Sequence, residues 1–297
     1  MLEILIIITT LVITVNNTSL IRDYISLSGL IPRQYTKYVI SIPIVTGLLA
    51  EGYKLTVYAE RIGIPETERI FLVTFISSVF ILGTILKIPT SATLVTVGGS
   101  IGVSLYLDTT LDLRYIILIF ILWIVFPIMS IAISKGFYNL LEGVSIRWIR
   151  RLSFIPTFLV GYVFGANTLG LIIYLDPEIS IAEMAAYIMT TILATLAPSQ
   201  KIGESISKFM YGYTWRTYLA ILTATSILIE IAQNISIPMP LTTLLTISTL
   251  GPVLGRRLIL INLHNLKRSI IFWIITLGAS ILLSYISMFI FNLLFFS

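Results

Sequence analysis

The chain reads as an all-α integral membrane protein of about ten membrane segments, arranged as two inverted five-segment repeats with short half-helix or re-entrant segments. Three observations lead there. Of 297 residues, 57% are hydrophobic and only 11% charged, with a mean hydropathy of +1.00, whereas a soluble domain needs roughly 25% charged residues to cover its surface. The apolar residues come in long runs, such as Ile116 to Ile133 and Ile270 to Phe296, and a hydrocarbon core of about 30 Å takes about 20 residues of helix. Lysine and arginine concentrate in alternate connections. Runs of this length select helices over closed barrels, whose strands show roughly ten-residue alternating segments.

The first segment, near residues 2 to 21, has no basic stretch before it and no small-residue cleavage site after it, so Leu2 to Val15 reads as a mature helix rather than a leader. Further segments lie near 38 to 52, 70 to 87, 91 to 107 and 115 to 141. A second set lies near 152 to 175, 180 to 197, 216 to 233, 241 to 255 and 269 to 296. Ten crossings put both termini on one side and sort the connections into two classes. One holds Arg22, Arg33, Lys37, Lys87, Lys135, Arg147, Arg150, Arg151, Lys201, Lys208, Arg216, Arg256, Arg257, Lys267 and Arg268; the other holds Lys54, Arg61, Arg69, Arg114 and most of the acids. Lysine and arginine in short loops mark the cytoplasmic side, so both termini are expected outside the cell membrane. The net charge of +5 is then a matter of topology. A nucleic-acid partner would call for basic residues interleaved with aromatics on a soluble face, and no such run occurs. Absent cysteine excludes disulfides and thiolate chemistry.

Five crossings per half start the second half from the opposite side, so a repeat is inverted in the membrane. The expected halves are 1–146 and 147–297 within one membrane domain. Asn17-Thr18 returns as Asn167-Thr168, Pro89 as Pro238 or Pro240, and Trp123 as Trp273, in the same order and at an offset of about 150 residues.

Function is sought where apolar segments are broken at corresponding places. One pair is Val15-Asn16-Asn17-Thr18-Ser19 with Gly165-Ala166-Asn167-Thr168-Leu169. The other is Pro89-Thr90-Ser91-Ala92-Thr93 with Pro238-Met239-Pro240-Leu241-Thr242-Thr243, continued by Gly98-Gly99-Ser100-Ile101-Gly102 and Thr249-Leu250-Gly251-Pro252. A helix start offers unpaired N–H groups and a positive dipole end, a ready anion site, and Ser or Thr there can cap the helix or bond a ligand oxygen. Two such starts facing one another form a cage for a small oxyanion, with Ser91, Thr93, Thr242 and Thr243 as donors. Asn17, Thr18, Asn167 and Thr168 line the same site, and the amide and hydroxyl oxygens of Asn17, Asn167 and Thr168 are candidates to hold a coupling cation such as Na+. Against this stands the ordinary use of such residues: hydroxyls bonding their own helix, and small residues letting helices approach.

Intramembrane acids are functional suspects by default. Asp23, Asp108, Asp112 and Asp176 fall in loops or at segment ends. Glu230, near Gln233, is the best buried carboxylate and a candidate for H+ or cation coupling, while Glu51 and Glu183 read as interfacial. His264 sits among Lys267 and Arg268 in a loop. No aspartate pair, histidine cluster or serine with a base suggests an intramembrane enzyme, and Gly98 to Gly102 lacks the lysine of a P-loop. No organic cofactor is expected.

These motif pairs resemble the inorganic phosphate transporter family, sodium- or proton-coupled phosphate permeases that include sulfate permeases. That family carries an inverted duplication, with a G-A-N-D motif in each half and a downstream P-V-S-T-T-H motif followed by spaced glycines. Gly165-Ala166-Asn167-Thr168 is similar to the first motif, and Pro89-Thr90-Ser91-Ala92-Thr93-Leu94 with Gly98 and Gly102 to the second. Lys201-Ile202-Gly203-Glu204-Ser205 is similar to the family's basic V-x-E-T stretch, and Trp123 to Pro127 to its closing helix. The motif Asp is replaced by Thr18 and Thr168, and the motif His by Leu94 in the first half and by Thr243 or Leu245 in the second. The resemblance implies alternating-access transport of phosphate or sulfate with Na+ or H+. A lipid bilayer, a small inorganic anion and a second copy in a homodimer are the expected partners. The alternative is a non-transporting membrane subunit of the same fold serving a partner protein, motivated by the lost aspartates.

Overall fold

A computed structural model describes residues 1–27, 29, 31–86, 90–109, 111–176, 178–198, 210–211, 214–255, 260–261 and 263–295. Pro89, Lys87, Lys201 to Ser205, Lys208, Arg256 and Arg257, which the sequence reading used, lie outside the described residues.

In the first half the helices are α1 (Leu2–Leu27), α2 (Arg33–Glu51), which runs through a 3-10 turn (Gly52–Leu55) into α3 (Thr56–Ile62), α4 (Glu66–Ile85), α5 (Ala92–Leu107) and α6 (Leu113–Leu140). In the second they are α7 (Ile146–Leu152), α8 (Phe154–Val163), a π-helical turn (Phe164–Leu169), α9 (Gly170–Ile173), α10 (Ile181–Leu196), α11 (Trp215–Asn234), α12 (Leu241–Ser248), α13 (Leu250–Gly255) and α14 (Leu263–Phe295). The only strands among the described residues are Met210–Tyr211 and Leu260–Ile261, paired antiparallel. Among the described residues, seven helical stretches are long and apolar enough to cross a membrane, and three apolar ones are shorter: Ala92–Leu107, Ile181–Leu196 and Leu241–Leu254. The protein is a multi-pass, all-α membrane protein.

Burial sorts the helices. The most apolar window of Leu266–Leu293 is only 17% buried and that of Leu113–Leu140 28%, against 78% for Ile146–Ile173. α6 and α14 are therefore the outer helices, with Ile117, Ile121, Ile124 and Ile128 on one and Ile274, Ile275, Leu282 and Leu283 on the other exposed, as lipid contact permits. Inside, α1 packs on α4 and α10, and α8 with its π turn packs on α11 and α2. α5 lies along α14, and α12 with α13 lies along α6.

Glycines set two of these approaches. A Cβ at Gly102 would stand 2.0 Å from Ser284 Oγ and 2.2 Å from the carbonyl oxygen of Ile281, and one at Gly251 2.0 Å from Ser134 Oγ. The spaced glycines of α5 and α13 thus let those helices seat against α14 and α6, the small-residue packing of membrane interiors.

Three expectations change. α1 continues to Leu27 and carries Asp23 and Arg22 buried within it, at 6% exposure each, rather than in a loop. Arg22 Nη1 donates to the Ala197 carbonyl at 2.7 Å, and this cross-helix partner is what lets a charge stay inside. Arg216 also belongs to a helix, the first turn of α11, where its Nε donates to the Tyr138 carbonyl at 2.5 Å and its guanidinium lies over the Tyr138 ring. Nor is the helix broken at Asn16 to Ser19: α1 passes straight through.

Candidate functional site

The chain leaves α11 through Ser236, which has a positive φ of 59°, and then runs without regular structure to Pro240, which holds the N-cap position of α12. This 236–240 segment is gripped from several sides. Trp123 Nε1 of α6 donates to the Pro238 carbonyl at 2.8 Å, and the Tyr115 hydroxyl donates to that of Ser236. Thr93, in the first turn of α5, donates through Oγ1 to the Met239 carbonyl at 3.1 Å. The openings of α5 and α12, predicted as a pair, therefore meet.

Asn167 is the hub. The π turn that carries it is the kind of local widening that recurs at functional sites, and Gly165 lets that turn press on α2. A Cβ there would be 1.9 Å from the Ile44 carbonyl oxygen. Asn167 Oδ1 accepts from Met239 N at 2.8 Å, while Nδ2 donates to the Ile237 carbonyl at 3.1 Å and to Gln233 Oε1 at 3.0 Å. In the sequence Gln233 stands out only as a neighbour of Glu230. It is wholly buried and donates through Nε2 to the carbonyls of Glu51 and Ala166 at 2.7 and 3.2 Å.

The first half repeats this arrangement one residue away from the expected register. Asn16 Oδ1 faces Thr90 N at 3.5 Å, and Asn16 Nδ2 donates to Thr84 Oγ1 at 3.3 Å. Asn16 thus bonds Thr90 and Thr84 much as Asn167 bonds Met239 and Gln233. Asn17 instead donates to the Ile13 carbonyl of its own helix at 3.2 Å, and Thr18 to that of Thr14 at 2.6 Å. It is therefore Asn16, and not Asn17, that bonds across helices as Asn167 does. Counted in sequence from the N-cap positions, Ser91 of α5 and Pro240 of α12, Pro238 falls where Pro89 does and Thr243 where Leu94 does.

Asn17, Thr18, Ser91, Thr93, Asn167, Thr168 and Thr242 are each at most 6% exposed, and Thr243 is half-buried. Ser91 Oγ is used as a cap, accepting from Leu94 N at 3.5 Å. Thr242 Oγ1 and Thr243 Oγ1, in the first turn of α12, are buried with no hydrogen-bond partner among the described residues. Those two hydroxyls are available donors at a helix start. Glu230 is not brought to this cluster; its carboxyl lies with Glu51, Lys54 and Asn234 at the other end of Gln233. Among the described residues no three His, Asp or Glu side chains gather as a metal centre would require.

The register has a measurable consequence. Asn16→Ala is expected to cost about 1–3 kcal/mol by stranding buried partners, and Asn17→Ala less than about 1 kcal/mol, in thermal unfolding of the purified protein. Equal losses would contradict the equivalence of Asn16 and Asn167.

No protein-family model matches the chain, and no curated protein matches it. A solved structure of a sodium-dependent phosphate transporter superposes on it with a TM-score of 0.81, at 15% identity, over 97% of this chain and 98% of that one. Along essentially its whole length, the chain has the fold of that transporter.

Proposed function

We propose that the chain is a secondary permease for a small tetrahedral oxyanion, phosphate or sulfate, working by alternating access and coupled to H+ or Na+. The observation that carries this reading is the meeting of the two helix openings, Thr93 of α5 against Met239 ahead of α12. The unpartnered hydroxyls of Thr242 and Thr243 stand beside it. Helix starts with spare hydroxyls suit an anion's oxygens. The fold shared with a sodium-dependent phosphate transporter supports the same reading.

The halves 1–146 and 147–297 are read as inverted repeats. In support, contacts occur in corresponding pairs: α1 with α4 answers α8 with α11, α1 with α10 answers α8 with α2, and α5 with α14 answers α12 and α13 with α6. The asymmetry of lysine and arginine among the loops supports a cell-membrane orientation with both termini outside. With Asn16 taken as the counterpart of Asn167, Asn17 rather than Thr18 joins Thr168 as the neutral residue where the resembling family has aspartate, so sodium would be held by amide and hydroxyl oxygens alone, and a proton would need another carrier.

In proteoliposomes, radiolabelled phosphate uptake is expected to saturate and to depend on an imposed proton or sodium gradient, with sulfate competing. Absence of saturable uptake of either anion under both gradients would overturn the reading.

A further inference from the structure

Glu51 ends α2, and the last turns of α11 carry Glu230, Gln233 and Asn234. The carboxyl groups of Glu51 and Glu230 come within hydrogen-bonding reach of one another. Each has one oxygen that is served: Lys54 Nζ is 3.0 Å from Glu51 Oε1, and Asn234 Nδ2 donates to Glu230 Oε1 at 3.2 Å. Lys54 also donates to Asn234 Oδ1 at 2.8 Å, which ties the two arms together. The remaining oxygens, Glu51 Oε2 and Glu230 Oε2, are buried and make no hydrogen bond among the described residues. Tyr162 of α8, whose hydroxyl also comes within hydrogen-bonding reach of the Glu51 carboxyl, is the other titratable group facing the pair, with Tyr53 of the turn after α2 beside it.

One ammonium group against two neighbouring carboxylates leaves an uncompensated negative charge, and two acceptor oxygens that face each other repel. A single proton between them removes the charge and supplies the missing donor. A metal cation fits poorly, because two carboxylate oxygens beside an ammonium group cannot replace its water shell.

The pair is wired to the site. The Glu51 carbonyl accepts from Gln233 Nε2 at 2.7 Å, and Gln233 Oε1 accepts from Asn167 Nδ2 at 3.0 Å. Asn167 Oδ1 then accepts from Met239 N at 2.8 Å, and the Met239 carbonyl accepts from Thr93 at 3.1 Å. Glu51 belongs to the first half of the chain and Glu230 to the second, as do Thr93 and Met239 respectively. Lys54 and Glu51 keep 22% and 18% side-chain exposure, a route for protons from water.

We propose that Glu51 and Glu230 form a one-proton site that couples transport to the proton gradient. The shared proton holds α2 against the end of α11 and, through Gln233 and Asn167, keeps the opening of α12 in place; its loss to water leaves two carboxylates that push the halves apart. The proposal rests on the permease reading and names the carrier that the neutral Asn17 and Thr168 cannot provide.

Two measurements on the full-length protein in liposomes test it. Infrared spectroscopy at neutral pH is expected to show a protonated-carboxyl stretch that shifts in D2O and is absent from the E51Q/E230Q double variant. No difference in that band between wild type and double variant anywhere in the neutral range would overturn the proton site. Second, at one proton per anion an acid-outside gradient of one unit is expected to raise accumulated phosphate about tenfold. In E51Q and in E230Q accumulation is expected to fall to the level without a gradient, with a flat pH profile. Gradient-driven accumulation that survives both substitutions would overturn the coupling role. Should wild type take up neither phosphate nor sulfate while the infrared band is present, the permease reading falls and the proton site stands.

Discussion

Asn167→Ala is expected to reduce the initial rate of gradient-driven phosphate uptake by at least about a hundredfold, the largest effect of any single polar substitution in this protein. The truncation removes three hydrogen bonds at once and strands Met239 N–H, the Ile237 carbonyl and Gln233 Oε1. All three residues are fully buried, and an unsatisfied buried group costs about 1–3 kcal/mol. Three such penalties together, about 3 kcal/mol or more, exceed the roughly 2.7 kcal/mol that makes a hundredfold change. The segment released is the one that presents Met239 to Thr93 and leads into Thr242 and Thr243, so the loss falls on the proposed anion site. Asn167→Asp keeps an acceptor for Met239 N but sets a carboxylate against two other acceptors, and an intermediate rate is expected. Proteoliposome uptake of both variants, normalised to the amount of folded protein, measures this. A rate for Asn167→Ala within about twofold of wild type would remove Asn167 from the mechanism.

Much of this architecture is legible in composition and periodicity, because lipid leaves a chain few options. The ten apolar segments correspond to helices whose ends differ by a few residues, and the polar breaks at Asn167 and before Thr93 and Thr242 mark positions that the fold brings together. What hydropathy misses is cross-helix pairing. A run of apolar residues is taken to stop at a charge, so Arg22 and Asp23 fall outside the expected first segment although Ala197 gives Arg22 a partner 175 positions away in sequence. Lys54 is readable as a neighbour of Glu51 from its i,i+3 spacing, but the approach of Glu230 to Glu51 is not visible in the sequence. Asn16 and Asn17 are the same residue type one position apart, and helical geometry turns one of them about 100° away from the other. Only the location of Thr84 and Thr90 decides which of them is the hub. The π turn at Phe164–Leu169 has no sequence signature beyond the cluster of small and polar residues it contains.

Gly165→Ala is expected to abolish accumulation of folded protein, although it adds a single methyl group and improves helix propensity. The added Cβ would lie 1.9 Å from the carbonyl oxygen of Ile44, 2.8 Å from its carbon and 3.0 Å from Leu48 N. All three contacts are backbone atoms of α2, so no side-chain rotation relieves them. The approach is reciprocal, since a Cβ on Gly47 would stand 1.9 Å from the Tyr162 carbonyl oxygen; α2 and α8 cross with two glycines facing each other's main chain. Separating them by more than an ångström would unseat the Ala166 and Glu51 carbonyls from Gln233, and with them the side chain that orients Asn167. Overpacking of a well-packed interior costs about 1–3 kcal/mol even where side chains can adjust, and here rigid helices must move. Gly136→Ala on α6 is the matched control, because nothing lies within 4 Å of the Cβ it would add and its effect should stay within about 1 kcal/mol. Expression and monodispersity in detergent separate the two. If Gly165→Ala behaves as Gly136→Ala does, then the α2–α8 crossing does not require contact between the two backbones.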